Sequence, residues 1–450
     1  MRSKILIYLS FLLFFVNHET NAQVQGKWEG EISVLTQKIG IEFDFDKKSN
    51  GIMNVPIQGA YNLSVDSIYS IDDSLSFYVD SSLSNMRFQG KKITADSISG
   101  TFFQSGYEGT FFLTKTNHDE TDYPWIDKEV RFNNDTVEFA GTLSLPDTTS
   151  KHPAIIFISG SGQQTRDENI FGFKIFKEMA PAFIQKGFAV LRYDDRGTGE
   201  SDHGNPNMCT TKDFADDAIA AFDFLTKHPN INAQKTGLLG HSEGAIIATM
   251  IARQRDPEFI IMMGGTTVQG DKVLMEQTRA LLESMNMNED IIRKRLNTNR
   301  KLYEEIMKPN TDTAQIKEIF TDLSDELGQT QDSVLLNKAI EAQMSAIMQP
   351  WFEFFLTYDP APAIKKLETP VLAVFGGKDI QVTADQNKPL IDSLMNEGKD
   401  NFTVKVFPDA NHLFQKAETG SVQEYSELSP EFVNGFLDYI SIWAHKTVKP

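Results

Sequence analysis

The chain has 450 residues, a formal net charge of −19 and one cysteine. Its length exceeds a single ordinary unit of about 100–200 residues, so two or more are expected. The charge excludes nucleic acid and anionic membrane surfaces as partners, because both repel an acidic chain. A lone cysteine, Cys209, leaves no internal disulfide, so stability must come from burial.

At the N-terminus, Arg2 and Lys4 precede an apolar run, Ile5 to Val16, and then Thr20-Asn21-Ala22. This is the pattern of a leader cleaved before Gln23. The run is shorter than the roughly 20 residues a spanning helix needs, so no stable membrane insertion is expected. Residues 1–22 read as an export signal, with a periplasmic or extracellular mature chain. From 23 to 116, short alternating stretches such as Ile41-Glu42-Phe43-Asp44-Phe45 are punctuated by Gly, Asn, Asp and Ser. They predict a small antiparallel β domain, a sandwich or barrel, with Trp28, Phe43, Phe45, Tyr61, Phe77, Phe88 and Phe111 as its core. No convergent polar site is visible there, which favours a stabilising or spacing role over lipid or sugar binding.

Residues 117–128 read as a linker, after which the pattern changes. Val130 to Leu145 predicts a hairpin. Apolar strand runs then follow at Ala154–Ile158, Ala189–Tyr193, Gly237–Gly240, Phe259–Met263, Pro370–Phe375 and Phe402–Phe407. Helical patterns separate them at Phe173–Gln185 and Asp213–Leu225. This alternation predicts an α/β fold with a mostly parallel sheet covered on both faces. The span 266–369 interrupts it with helical spacing at Leu281, Met285, Ile292, Leu296, Leu302, Ile306, Met344 and Met348, and reads as a helical cap. Its methionines either pack helix on helix or line an adaptable pocket.

Gly240-His241-Ser242-Glu243-Gly244 fits Gly-x-Ser-x-Gly, follows a buried strand and opens a helix, Ala245 to Arg253. A tight strand-to-helix turn lifts the serine to the carboxyl edge of the sheet and needs small residues around it. A serine hydroxyl also needs a base. Of eight histidines, only His412 and His445 follow the serine. His412 lies on a loop leaving the last strand, His445 in a terminal helical stretch, so His412 is preferred. A carboxylate must fix the imidazole tautomer. Asp379, directly after Gly376-Gly377-Lys378, is placed for this, with Asp271 as the rival. Asp385 and Asp409 read as loop charges.

Together with Ile158-Ser159-Gly160-Ser161-Gly162, Arg166-Asp167 and Tyr193-Asp194-Asp195-Arg196-Gly197-Thr198-Gly199-Glu200-Ser201, these motifs run in order from about Pro153 to Phe414. In them the chain resembles the α/β-hydrolase superfamily, and within it exported esterases similar to dienelactone hydrolases and to prolyl oligopeptidase catalytic domains. The resemblance implies a Ser242-Asp379-His412 triad and an oxyanion hole. One donor would be the backbone N–H of Glu243, the second that of Ser161, with Gly160 next. It also implies that Asp195 to Gly199 is a structural turn with Arg196 tied to a carboxylate.

The function implied is hydrolysis of small carboxylic esters through an acyl-enzyme, with no metal or cofactor motif in the site. Alternatives are a serine peptidase or amidase of prolyl oligopeptidase type, acyl transfer to another acceptor, and a non-catalytic glycan- or lipid-binding protein.

Overall fold

Runs such as Ala154-Ile155-Ile156-Phe157-Ile158 are apolar at every position because both of their faces are covered. In the computed structural model they form the middle of a large sheet. Described are residues 24–34, 37–45, 51–55, 60–71, 73–80, 86–104, 106–115, 124–326 and 333–449. The expected leader at 1–22 lies outside them, as does most of the expected linker. The chain divides into two compact units, Met1–Asp119 and Glu120–Pro450.

In the first unit, strands β1 (Gly26–Val34), β2 (Gln37–Phe45), β3 (Gly51–Val55), β4 (Ala60–Ile71), β5 (Ser74–Asp80), β6 (Met86–Thr94), β7 (Ser97–Gln104) and β8 (Tyr107–Lys115) pair antiparallel in sequence order. β1 pairs with β8 as well as β2, which closes a barrel and leaves no free edge. Every second residue points inward, so Phe43, Phe45, Phe77, Phe88 and Phe111 fill the interior with Trp28. Phe77 and Phe88 stack with centroids 4.8 Å apart. The side chain of Tyr61 lies outside the described ones. Gly90 and Gly100 face each other across β6 and β7. A Cβ on Gly90 would sit 2.7 Å from the Phe111 ring, and one on Gly100 would overlap the Gln89 carbonyl.

The second unit begins with an antiparallel pair, β9 (Ile126–Asn134) and β10 (Val137–Leu145). β9 starts inside the span read as linker, because Ile126, Asp127 and Lys128 pair with Leu145, Ser144 and Leu143. There follow β11 (His152–Ile158), a two-residue hairpin β12 (Asn169–Ile170) and β13 (Phe173–Lys174), α1 (Ile175–Ile184), β14 (Ala189–Tyr193), α2 (Thr211–Lys227), β15 (Ile231–His241), α3 (Glu243–Ile251) and β16 (Ile260–Met263). Phe173, expected to open a helix, belongs instead to this hairpin, with Ile170 as its partner.

Between β16 and the next strand run α4 (Gly270–Ser284), α5 (Glu289–Ile306), α6 (Thr313–Glu326), α7 (Ser333–Ile347), α8 (Pro350–Thr357) and the short α9 (Ala361–Ile364). Ile364 of α9 joins the core of the sheet, whereas helices α4 to α8 share a small core of Leu302, Tyr303, Ile306, Ile316, Phe320, Ile340 and Leu356. Met275, Met307 and Met344 pack against that core, whereas Met285 and Met348 are exposed. The chain then completes β17 (Val371–Gly376), α10 (Ala384–Asn396), β18 (Phe402–Phe407) and α11 (Phe436–Val448). Among the described residues no helix is long and apolar enough to cross a membrane.

The sheet order is β18-β17-β16-β15-β11-β14-β10-β9, parallel from β18 to β14 and antiparallel beyond. Ile156 and Ile158 belong to the core shared with α2, α3 and α10, and Ile155 and Phe157 to the one shared with α1 and α11. One strand thus feeds two cores. The parallel strands deliver their carboxyl ends, with Ile158, Tyr193, His241, Met263, Gly376 and Phe407, to one edge.

The barrel's glycine pair is testable. Gly100→Ala should destabilise the barrel by about 1–3 kcal/mol, the usual cost of overpacking. Gly40→Ala, where a Cβ meets nothing within 4 Å, should stay within about 0.5 kcal/mol. Native-state hydrogen exchange of barrel amides in the full chain reads both, and equal protection losses would contradict the packing argument.

Candidate active site

Ser242 lies between the last residue of β15 and the first of α3, at φ 52° and ψ −116°. A non-glycine residue there carries strain on the order of 1–3 kcal/mol. Its neighbours hold it. The Ser242 N–H donates to the Met263 carbonyl at 2.9 Å, pinning the turn to the end of β16. A Cβ on Gly240 would overlap the Gly244 carbonyl, and one on Gly244 would overlap the Ile158 carbonyl. Both glycines are therefore required by close backbone approach. The loop after β11 is equally close: a Cβ on Gly160 would lie 3.2 Å from the Ser242 Cβ.

Asp379 follows β17 and is buried. Its Oδ1 accepts the backbone N–H groups of Gln381 (2.8 Å) and Val382 (2.9 Å), and Oδ2 faces His412 Nδ1 at 2.7 Å. A carboxylate so occupied accepts the hydrogen bond of Nδ1–H, which leaves the proton on Nδ1 and makes His412 Nε2 the acceptor nitrogen. The His412 loop is shaped by Asn411, whose Oδ1 accepts from Leu413 N (3.0 Å) and Gln415 N (2.9 Å). Gly264, at φ +57°, lies under the ring: a Cβ there would be 3.3 Å from His412 Cε1. Since Gly264 follows Met263, which holds the Ser242 turn, serine and imidazole share one edge. Asp271 and His445 are elsewhere: Asp271 is in the first turn of α4, and His445 in the last turn of α11. Asp385 opens α10 and Asp409 is exposed on a loop.

The candidate oxyanion donors separate. Gly160 spends its N–H on Glu168 Oε1 at 2.7 Å. That corrects the reading of Gly160 as a donor and leaves the backbone N–H groups of Glu243 and Ser161. Glu243 also begins α3, where helix N–H groups and the macrodipole favour negative charge.

Sequence reasoning missed Glu168, whose side chain is fully buried. Its Oε1 also faces His241 Nδ1 at 2.8 Å, while His241 Nε2 lies 3.1 Å from the His412 carbonyl. A carbonyl only accepts, so Nε2 bears a proton. Glu168 Oε1 also accepts from Gly160, an arrangement that favours a proton on Nδ1 as well and hence the imidazolium form. Burial opposes that charge, but the Glu168 carboxylate and the hydrogen bonds to Glu168 and His412 outweigh it and raise the ring's pKa. Glu168 Oε2 is buried without a partner. The pair ties together the Gly160 loop, the residue before Ser242 and the His412 loop. A histidine beside the serine was the visible signal; an acid 73 positions upstream was not.

The turn after β14 is held by charge. Arg196 pairs with Asp217, and Arg166 with Asp194 and Glu129. Asp195 accepts the Ser159 hydroxyl at 2.8 and 2.9 Å and the Gln164 N–H at 3.0 Å. Cys209 is buried, and its thiol lies 3.1 Å from Arg196 Nη1.

A family model described as serine aminopeptidase, S33, matches residues 173–418. Esterase EstD of Thermotoga maritima is 27% identical over 317 residues, 69% of this chain and 66% of that esterase's own length. An uncharacterised 31.7 kDa protein of Escherichia coli is 27% identical over 269 residues, 58% of this chain and 84% of that protein. Among solved structures, an esterase of Pyrococcus furiosus aligns with a TM-score of 0.45 at 13% identity, covering 74% of this chain and 94% of its own.

The buried pair predicts a pH dependence. A histidine whose folded pKa is raised adds stability that is fully present below its unfolded value and is lost as pH rises through the folded one. Glu168→Gln should therefore cost roughly 3–5 kcal/mol at pH 6 and less at pH 9. The groups facing His241 are Glu168, His412 and Asp379, and only Glu168 is changed. Urea midpoints at the two pH values decide it. A cost that grows with pH would contradict the imidazolium assignment.

Proposed function

From the premise that the chain belongs to the S33 serine aminopeptidase family of α/β hydrolases, we propose that it cleaves small carboxylic esters with Ser242 as nucleophile, His412 as base and Asp379 as the residue that orients the base. The observation that carries the reading is the 2.7 Å hydrogen bond between His412 Nδ1 and Asp379 Oδ2, on the sheet edge that also presents Ser242. His412 Nε2 takes the hydroxyl proton as Ser242 Oγ attacks the ester carbonyl. The tetrahedral oxyanion is held by the N–H groups of Glu243 and Ser161. Collapse expels the alcohol, which receives the proton from His412, and leaves an acyl-serine. Water, deprotonated by the same nitrogen, attacks the acyl carbon and releases the acid and the free serine. Helices α4 to α9 act as a cap over this edge. Export by the leader-like segment at 1–22 belongs to the same proposal and rests on sequence alone.

A second reading is hydrolysis of aminoacyl or prolyl amides, which the family's description as an aminopeptidase favours. Both use the same residues. The esterase relative supports the ester reading. Nitrophenyl esters of graded acyl length, assayed beside aminoacyl and prolyl nitroanilides, separate the two. Esters should turn over faster, and faster amide turnover would reverse the order.

The triad assignment predicts a contrast between two acids. Asp379→Asn keeps the shape but favours the wrong imidazole tautomer and should lower kcat on the order of 10⁴-fold. Asp271→Asn removes the same charge from α4 and should stay within about twofold. Ser242→Ala should abolish turnover without loss of fold. A severe loss at Asp271 with near-normal rates at Asp379 would move the acid to the segment after β16.

A further inference from the structure

Glu243 directly follows Ser242, yet its side chain is buried, at 3% exposure. Two donors from separate parts of the fold reach its carboxyl group. Oε1 accepts the Thr211 hydroxyl at 2.6 Å and the Trp351 indole N–H at 2.8 Å. Each is fixed from behind. Thr211 opens α2, whose start is set by a capping box between Thr210 and Asp213. Trp351 opens α8 and stacks on Phe355, with ring centroids 5.4 Å apart. A Cβ on Gly270 of α4 would overlap the Phe355 carbonyl, so α8 and α4 are in backbone contact.

An acid at the first position of α3 gains from the helix dipole even when exposed, and burial is not needed for that. A buried carboxyl costs several kcal/mol unless its hydrogen bonds are well made, and an apolar side chain of similar size would be cheaper. Burial raises the Glu243 pKa; hydrogen bonds from Thr211 and Trp351 act in the opposite sense but leave it above the ordinary carboxyl value. The indole N–H can only donate, so whichever protonation state holds, Glu243 is the acceptor of the Trp351 bond.

We propose that the Glu243 side chain is a positioning residue for the oxyanion hole: its hydrogen bonds with Thr211 and Trp351 hold the turn that carries Glu243's own N–H, and through Trp351 they make that geometry depend on the seating of α8. This rests on the serine-hydrolase reading and adds a coupling between the helical insertion and the chemical step. Two donors that stabilise an oxyanion act only when both point at one spot, and a displacement of about 1 Å can cost about 100-fold in rate.

Fluorophosphonate labelling of the full chain comes first. One label on wild type and none on Ser242→Ala upholds the underlying reading, and labelling that persists in Ser242→Ala sinks that reading and this proposal together. Nitrophenyl acetate kinetics then test the coupling. Trp351→Phe keeps the aromatic ring and removes only the N–H, so it should lower kcat about tenfold or more while KM moves less than about threefold. Glu243→Ala should lower kcat about 100-fold. Glu243→Gln, whose amide oxygen still accepts from Thr211 and Trp351, should recover at least about tenfold of that loss, a rescue that a general packing role would not give to the glutamine alone. Should Glu243→Ala fail to fold, the half-buried Trp351→Phe position carries the test unaided. A labelled enzyme in which Trp351→Phe leaves kcat unchanged, or raises KM alone, overturns the inference and makes α8 a simple wall of the substrate site.

Discussion

A serine held at φ 52° between β15 and α3 is the constraint on which the rest of this unit depends. The turn is possible because Gly240 and Gly244 let β15, α3 and the end of β11 approach within backbone contact, while Gly264 leaves room for the His412 ring. That closeness aligns the carboxyl ends of β11, β15, β16 and β17. The carboxylate after β17 and the imidazole after β18 then need only short loops to meet. The strain, on the order of 1–3 kcal/mol, is offset by the two apolar cores that grip the sheet from both faces.

Buried charge is the second theme. Ordinary stability would be served better by apolar side chains at Glu168, His241 and Glu243. Each instead fastens segments that packing alone would leave loose: His241 joins the residue before Ser242 to the His412 loop, Glu168 anchors Gly160, and Glu243 gathers α2 and α8. The positions flanking Ser242 on both sides are thereby committed to hydrogen bonds, one behind the imidazole and one beneath the proposed oxyanion hole.

Much of the hydrolase unit was legible because its signals are local. Strand runs such as Ile155–Ile158 carry their burial in their composition, and the glycine-bounded serine shows its turn in five letters. Asp379 and His412 could be read because each follows a strand that is itself easy to find. What stayed hidden depends on contacts distant in sequence. Glu168 sits in a loop with nothing to distinguish it from the acids around it until β11 and β15 are adjacent. Trp351 carries no local signal of its role, since the acid it binds lies 108 positions away. Ser161 was preferred to Gly160 on paper, and the physical reason that separates them, the Gly160 N–H occupied by Glu168, could not be read there. At the N-terminal unit, alternation gave the antiparallel strands but left sandwich and barrel open, because closure depends on β1 meeting β8. The early start of β9 was hidden by the charged, turn-like residues before Val130.

The central claim is that one serine passes through a covalent acyl state. Acid-quenching the enzyme during the burst with a nitrophenyl ester, then mapping the adduct by peptide mass spectrometry, tests this directly. The account predicts a single acyl group on the peptide containing Ser242, absent from the Ser242→Ala protein. An acyl group on another residue, or turnover with no adduct and a normal rate in Ser242→Ala, would contradict it.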